Sequence, residues 1–288
     1  NTGPSATTAN FTIDTTAPTV ASFTTATATG SYKQGEAIVI TANTSEAIQS
    51  GNTITVTLDT TDTVVLTAAS AGTTLVGTYT VGANDTSAGL TVSSFSIGTV
   101  ADTAGNAMTS TTLPAASSIF GTKTIIIDTT APTGAITYSA ASPYKQNATV
   151  TITATFTEAL TTTPKIAISG VSSVTATNMS GSGTTWTYTY TAPAGDGTET
   201  IVFSVGTDAA GNTVTATPTS GATFTVDNTS PSMIITASDV STGSTTNDST
   251  LALTFITNEA TSNFVVTDIA VTNGSLSSFV STDDDTYT

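Results

Sequence analysis

The sequence predicts an all-β protein in which β-sandwich domains follow one another in tandem. Thr and Ser make up 108 of the 288 residues, and β-branched Thr fits the pleated surface of a sheet better than a helix. No window of the sequence has the apolar spacing of a helix, and one short motif occurs three times at intervals near 100 residues. This interval matches the length of a seven-stranded sandwich and is too long for a helical repeat.

Four features recur in the same phase and define the repeat. The first is a linker motif that runs from Phe11 to Pro18, from Ile126 to Pro132 and from Phe224 to Pro231, with its prolines 114 and 99 residues apart. A glutamate then follows the aspartate of each motif by 32, 30 and 32 residues. The remaining features, a Tyr-Lys-Gln triplet and an Asp-x-Ala-Gly-Asn segment, occur at residues 32–34 and 144–146 and at residues 102–106 and 208–212.

Within each repeat, apolar residues alternate with Thr, which is typical of strands with one face in a core and the other in water. In the first repeat we predict strands at residues 37–43, 54–58, 63–67, 75–81, 90–97 and 122–127. In the second repeat we predict strands at residues 149–156, 165–169, 184–190, 199–205 and 213–219. Short strands separated by Gly, Asn, Asp and Ser indicate a sandwich or a barrel.

The repeats divide the chain into four segments. Residues 1–13 match the last strand of a preceding domain, residues 14–127 and 128–226 each form a complete domain, and residues 227–288 form the first part of a third. Alternatively, residues 1–13 complete an open domain of a neighbouring copy by strand addition, although one strand is much shorter than the part that the third repeat lacks.

The composition excludes several classes of function. The chain has 4 basic and 20 acidic residues, a formal net charge of −16, and no Cys or His. Binding to nucleic acid or to an anionic membrane surface depends on Lys and Arg, so we expect neither, and no apolar run approaches the ~20 residues of a membrane span. Without His or Cys the common nucleophile–base pairs are impossible, so we expect no enzyme.

The Asp-Thr-Thr-Ala-Pro linker, the strand glutamate and the Asp-x-Ala-Gly-Asn segment together resemble the bacterial and archaeal immunoglobulin-like (Big-type) repeats of surface-layer proteins and giant adhesins. The resemblance covers essentially the whole chain and implies tandem immunoglobulin-like Greek-key β-sandwiches in an extracellular array. It also implies Ca²⁺ at domain junctions. The third repeat departs from the pattern with Asp227-Asn-Thr-Ser-Pro231, which makes the second junction less certain than the first.

Calcium is the leading candidate ligand, because carboxylates and carbonyls supply the roughly six to eight oxygens that it needs. Acids of the linkers, strands and loops are expected to converge where domains meet: Asp14, Asp128 and Asp227; Glu46, Glu158 and Glu259; Asp102 and Asp208. The alternative is that these residues cap turns, because Asp, Gly and Asn are also the residues of good turns.

Four other features have both a structural and a functional interpretation. Asp283–Asp285 is a solvated turn or half of a metal site, and the alternating aromatics Trp186, Tyr188 and Tyr190 belong to the core or form an exposed stripe for sugars. Lys33 and Lys145 protect edge strands or form isopeptide cross-links. Asn-x-Ser/Thr sequons, possible sites of surface glycans, occur at Asn10, Asn43, Asn84, Asn147, Asn178, Asn228, Asn247 and Asn273.

These observations favour a structural protein at the cell surface. The lack of Cys fits either the cytosol or a large surface protein, and the acidity and Thr content favour the extracellular location. We expect the array to form a surface layer or filament by contact with copies of itself or with neighbouring immunoglobulin-like domains. The alternative is a calcium-stiffened adhesin stalk that binds a foreign surface through another region, and a virion surface protein is a weaker possibility.

Overall fold

A computed structural model describes residues 12–116 and 120–288. Over these residues there is no α-helix, and the regular structure is β apart from short 3₁₀ turns such as Val266–Asp268. The all-β prediction is therefore confirmed. The strand predicted within residues 1–13 falls almost wholly outside the described residues, and so does the sequon at Asn10.

The first sandwich contains nine strands. They are β1 (Val20–Thr24), β2 (Gly30–Tyr32), β3 (Ala37–Ile48), β4 (Thr53–Leu58), β5 (Thr63–Thr67), β6 (Gly72–Thr80), β7 (Thr86–Ser87), β8 (Val92–Thr99) and β9 (Ile125–Asp128). One sheet has the order β1-β3-β6-β5-β4-β8 and the other has the order β2-β9-β7. A single residue pair, Thr67 and Val76, joins β5 to β6, so the first sheet consists of two three-stranded halves.

The second sandwich repeats this arrangement with seven strands. They are β10 (Gly134–Tyr138), β11 (Thr149–Leu160), β12 (Pro164–Ser169), β13 (Ser173–Asn178), β14 (Ser180–Thr191), β15 (Gly197–Val205) and β16 (Thr223–Val226). The sheet β10-β11-β14 corresponds to β1-β3-β6, and the sheet β13-β12-β15-β16 corresponds to β5-β4-β8 with a last strand added. Consecutive strands cross between the two layers, which is Greek-key connectivity.

Each sandwich has its own hydrophobic core, since alternate residues of every long strand point inward. The first core extends from Val20 to Ile127 and the second from Ile136 to Val226. Aromatic rings link the layers of the second core, where the Phe156 and Phe203 centroids lie 5.1 Å apart.

The third unit has one sheet of three strands, β17 (Met233–Ala237), β18 (Leu253–Thr257) and β19 (Thr286–Tyr287). A cluster of rings that includes Phe255, Phe264 and Tyr287 packs beside this sheet, with the Phe264 and Tyr287 centroids 5.0 Å apart. The strand residues Ile234 and Ile235 are exposed, so this unit buries much less of its apolar surface than the two sandwiches.

The predicted strands correspond to observed ones with one clear exception. Residues 213–219 contain only an isolated bridge at Thr213, so the strand prediction there is wrong. Pro218 lies in this segment, and proline has no N–H to donate to a sheet. The segment instead lies along the sandwich, with the Thr215 N–H donating to the Pro132 carbonyl (2.9 Å).

Candidate metal centres

The strand glutamates lie in matching irregularities of the two longest strands. In β3 the pairing with β6 jumps from Asn43–Thr74 to Ile48–Gly72, and in β11 the pairing with β14 jumps from Thr155–Thr185 to Leu160–Gly183. Each jump leaves three more residues on one strand than on its partner. Such bulges redirect side chains that would otherwise alternate across the sheet, and Glu46 and Glu158 are within them.

Each bulge faces the linker that enters its sandwich and the loop that carries the Asp-x-Ala-Gly-Asn segment. Asp14, Glu46 and Asp102 place one carboxylate oxygen each within 4.8 Å of the others, and Asp128, Glu158 and Asp208 do the same. We name these groups the first and second acid triads. In both triads the loop aspartate is buried, at 1% exposure for Asp102 and 3% for Asp208.

Backbone and amide donors fix the loop aspartate in the same way in both triads. Asp102 Oδ1 accepts from the N–H groups of Gly105 (2.6 Å) and Asn106 (2.8 Å), and Asp102 Oδ2 accepts from the Asn106 side chain (2.8 Å). Asp208 has the same three bonds, from Gly211 (2.7 Å) and from the backbone and side chain of Asn212 (both 2.9 Å). These hydrogen bonds are those of a turn, as the alternative interpretation predicts. The same turn directs one carboxylate into each triad.

The asparagines at the end of these loops are functional candidates that the sequence analysis did not single out. The Asn106 side chain also donates to the Asp14 carbonyl (3.1 Å), and the Asn212 side chain donates to the Asp128 carbonyl (2.9 Å). Each asparagine therefore ties the loop aspartate to the linker aspartate of the same triad. The sequence feature that could have identified these asparagines is their recurrence four residues after Asp102 and Asp208.

The charged groups that shift the pKa of the two triad glutamates are all acids. Burial, followed by the charges of Asp14 and Asp102, raises the pKa of Glu46 above its usual value. Burial and then Asp128 and Asp208 raise the pKa of Glu158 in the same way. Burial also acts to raise the pKa of Asp102, but the donors on Asn106, Gly105 and Ala104 outweigh it, and the pKa is lowered.

The residues of each triad fit a calcium ion. Ca²⁺ binds oxygens at about 2.3–2.6 Å, so two ligands on opposite sides of the ion are about 5 Å apart. Three carboxylate oxygens within 4.8 Å of one another satisfy this limit, and a divalent cation would neutralise the repulsion that raises the glutamate pKa. The flexible geometry and hard oxygen donors suit Ca²⁺ better than a thiolate- or imidazole-seeking metal.

The third repeat provides only part of this arrangement. The Asp227 carboxylate accepts from the Thr229 N–H (3.0 Å), as Asp14 does from Thr16 and Asp128 from Thr130. Glu259 Oε1 is buried and has no hydrogen-bond partner. Among the described residues, Asp227 and Glu259 do not belong to a group of three acids close enough to share a metal ion. At this second junction, the Thr229 hydroxyl donates to Asp196 Oδ2 (2.7 Å).

Lys33 connects the first sandwich to the second triad's loop. Its Nζ donates to the Gly211 carbonyl (3.0 Å), and in the same region the Thr129 hydroxyl donates to the Asp85 carbonyl (3.0 Å). The acceptor of Lys33 is a backbone carbonyl, which cannot form an isopeptide link. Lys145, the equivalent residue of the second sandwich, is exposed.

The aromatic stripe on β14 belongs to the core, which is the structural one of its two interpretations. Trp186 and Tyr190 are 7% and 2% exposed, and the partly buried Tyr188 packs against the same core. The Trp186 indole N–H donates to the Gly183 carbonyl (3.0 Å), so neither the ring face nor the polar edge of this side chain is free for a sugar.

The remaining candidates lie on the surface. Asp283 is in a turn where its Oδ1 accepts from the N–H groups of Asp285 (3.1 Å) and Thr286 (2.7 Å), bonds that lower its pKa. Two sequon asparagines use their side chains internally, Asn43 with Ser22 and Thr24 and Asn228 with Pro193 and Gly195. The other described sequons are exposed at Asn84, Asn147, Asn178, Asn247 and Asn273.

Among the described residues, no helix has the length and apolar character needed to cross a membrane. No protein-family model matches the chain, and no curated protein matches it.

Proposed function

We propose that this chain is a structural segment of an extracellular array of immunoglobulin-like sandwiches whose junctions bind Ca²⁺. The observation that carries the proposal is the recurrence of one Asp–Glu–Asp triad at the same end of both complete sandwiches. Each triad joins three parts of the chain: the linker, a bulge in the longest strand, and the loop near the end of the repeat. A cation in that position would fix the direction in which the linker enters the sandwich.

Calcium is the proposed cofactor, bound by Asp14, Glu46 and Asp102 and by Asp128, Glu158 and Asp208. The ion would supply positive charge to the clustered carboxylates, and water and carbonyl groups would complete its coordination. Asp227 and Glu259 are left out of this assignment because they are not part of an acid triad among the described residues.

The function we favour is a surface layer or filament that forms by self-association on the cell surface. The unequal repeat lengths and the scarcity of long identical stretches support it, because adhesin stalks often duplicate nearly identical units. The acidic, Ser- and Thr-rich surface and the exposed sequons are suited to an extracellular protein that carries glycans.

The alternative is the stalk of a large adhesin, and the acid triads themselves favour it, because ions at successive junctions would stiffen a spacer. Both functions use the same junction chemistry and differ in what the chain contacts. Imaging the purified chain by electron microscopy, with calcium and with chelator, separates them. Ordered sheets or filaments that require calcium are expected, whereas straight rods that stay single in calcium would exclude the self-associating layer and leave the stalk.

A further inference from the structure

The Tyr-Lys-Gln triplets occupy the same place in both sandwiches. Tyr32 pairs in parallel with Ile127, and Tyr144 forms a parallel bridge with Val226. The strands that contain these partners, β9 and β16, are the last of their sandwiches and lead directly into the linkers. Each triplet therefore lies at the junction where the chain leaves its sandwich.

The backbone of each triplet is held in the same way. The Tyr32 and Tyr144 hydroxyls each donate to the carbonyl of an alanine four residues earlier (2.7 and 2.6 Å). The Lys33 and Lys145 carbonyls each accept from the N–H group three residues later (3.2 and 3.0 Å). The two lysines thus start from equivalent positions, so a difference between them reflects what lies across each junction.

Lys33 reaches across the first junction to a loop of the second sandwich. Its Nζ donates to the Gly211 carbonyl (3.0 Å), and the two residues are 178 positions apart. Gly211 has a φ of +89°, which glycine adopts without strain, and a Cβ there would lie 3.4 Å from Lys33 Nζ. The glycine of the Asp-x-Ala-Gly-Asn loop therefore leaves room for the ammonium group.

The linker at this junction is already attached to both sandwiches through one residue. Asp128 pairs with Thr86 of the first sandwich, and its carbonyl accepts from the Asn212 side chain of the second (2.9 Å). Two bodies joined at one point can rotate about it, and a second attachment away from that point restricts the rotation. The bond from Lys33 to Gly211 is such a second attachment.

From this geometry we infer that the Tyr-Lys-Gln triplet is a contact between domains, in which the lysine of one sandwich binds the glycine carbonyl of the next sandwich's Asp-x-Ala-Gly-Asn loop. At the first junction, this contact holds the two sandwiches in one orientation without calcium. The inference goes beyond the proposed function, because the contact needs no cation. It assigns a role to the triplet and names the loop that its lysine fits.

A single bond can have this effect because the linker keeps its donor and acceptor close together. Lys33 is exposed, and a charged contact at an exposed site changes an equilibrium by about fivefold at most. Within one molecule, however, the donor meets its acceptor at a high effective concentration. We therefore expect loss of the lysine to increase the range of orientations of the two sandwiches and to leave the fold of each unchanged.

The second junction supplies the internal comparison. Residues 227–288 contain no Asp-x-Ala-Gly-Asn segment, so the loop that Lys33 binds has no counterpart in the described part of the third unit. The linker there is tied back to the second sandwich, since the Thr229 hydroxyl donates to Asp196 (2.7 Å). Lys145 is therefore a matched control for Lys33, with the same side chain on the same triplet.

The test measures the distance between two spin labels in the full chain, one on each sandwich, by pulsed electron paramagnetic resonance in chelator. The chain has no Cys, so Thr63→Cys and Thr175→Cys at two exposed strand residues provide the labelling sites. Lys33→Met keeps the apolar stem but loses the donor, and the distance distribution should become about twice as wide. Lys145→Met should leave the width unchanged, and Lys33→Arg, which retains donors, should keep the distribution narrow.

Equal widths for the labelled parent chain and Lys33→Met would overturn the inference, and so would equal broadening by Lys33→Met and Lys145→Met. Each sandwich should melt at the parent's temperature in every variant, which excludes unfolding as the cause of a broader distribution. Calcium binding by the triads is measured separately, by titration. Its absence would count against the proposed function and not against this contact, because every distance is measured in chelator.

Discussion

Removing the hydroxyl of Tyr190 should destabilise the second sandwich more than removing that of an equally buried tyrosine does. Tyr190 is 2% exposed and its hydroxyl donates to Glu199, which is 0% exposed and has one further oxygen without a partner. Burial raises the pKa of Tyr190 to about 12, so the hydroxyl remains a donor at neutral pH. Hydrogen bonds to a carboxylate contribute about 1.5–3 kcal/mol, and we expect Tyr190→Phe to lower the free energy of unfolding by this amount.

Tyr144→Phe is the matched control in the same sandwich. Tyr144 is 4% exposed, its ring packs against Phe224 as that of Tyr190 does, and its hydroxyl donates to the neutral Ala140 carbonyl (2.6 Å). Such a bond contributes about 0.5–1.5 kcal/mol. The assay is urea unfolding followed by the fluorescence of Trp186, the chain's one tryptophan, which reports on this sandwich alone. Equal losses for the two variants, or a larger loss for Tyr144→Phe, would refute the reasoning.

Three further changes test the site and the cores. Glu158→Gln should abolish the calcium-dependent rise in melting temperature of the second sandwich but not that of the first. Glu36→Gln, which lies outside the triads, should abolish neither rise. Calorimetry with and without calcium measures both. Gly170→Ala should destabilise the second sandwich by about 2 kcal/mol or more, since the φ of Gly170 is +148° and a Cβ would lie 2.2 Å from a backbone oxygen. An unchanged free energy of unfolding in urea would contradict this. Phe23→Ala should cost the first sandwich about 3–5 kcal/mol, because Phe23 is fully buried against Phe95, and should leave the Trp186 transition unchanged.

Sequence spacing was sufficient to predict which acids lie together in the first two repeats. The interval from Asp14 to Glu46 recurs, within two residues, from Asp128 to Glu158, and similar spacing in a repeated fold places residues at equivalent sites. The bulges that turn the two glutamates toward the linker were not predictable. They arise from the register between β3 and β6 and between β11 and β14, and register depends on the partner strand as much as on the strand itself.

Other features depend on contacts that no local pattern contains. The predicted strand at residues 213–219 alternates well. Its backbone hydrogen bonds, however, go singly to Pro132, Gly134, Phe203 and Gly206, and Pro218 has no N–H for a ladder. Asn106 was visible only as a turn residue, because its bond to the Asp14 carbonyl spans 92 residues.

The proposal that both triads bind calcium is tested most directly by calorimetric titration of the full chain with Ca²⁺, followed by thermal unfolding of the loaded and chelated protein. The account predicts two sites per chain, one for each triad. At free calcium about 100 times Kd, each sandwich should gain roughly 2.7 kcal/mol, a rise in Tm on the order of 10 °C. Absence of binding heat together with identical unfolding in calcium and chelator would contradict it, and would leave Asp14, Asp102, Asp128 and Asp208 as residues that only cap turns.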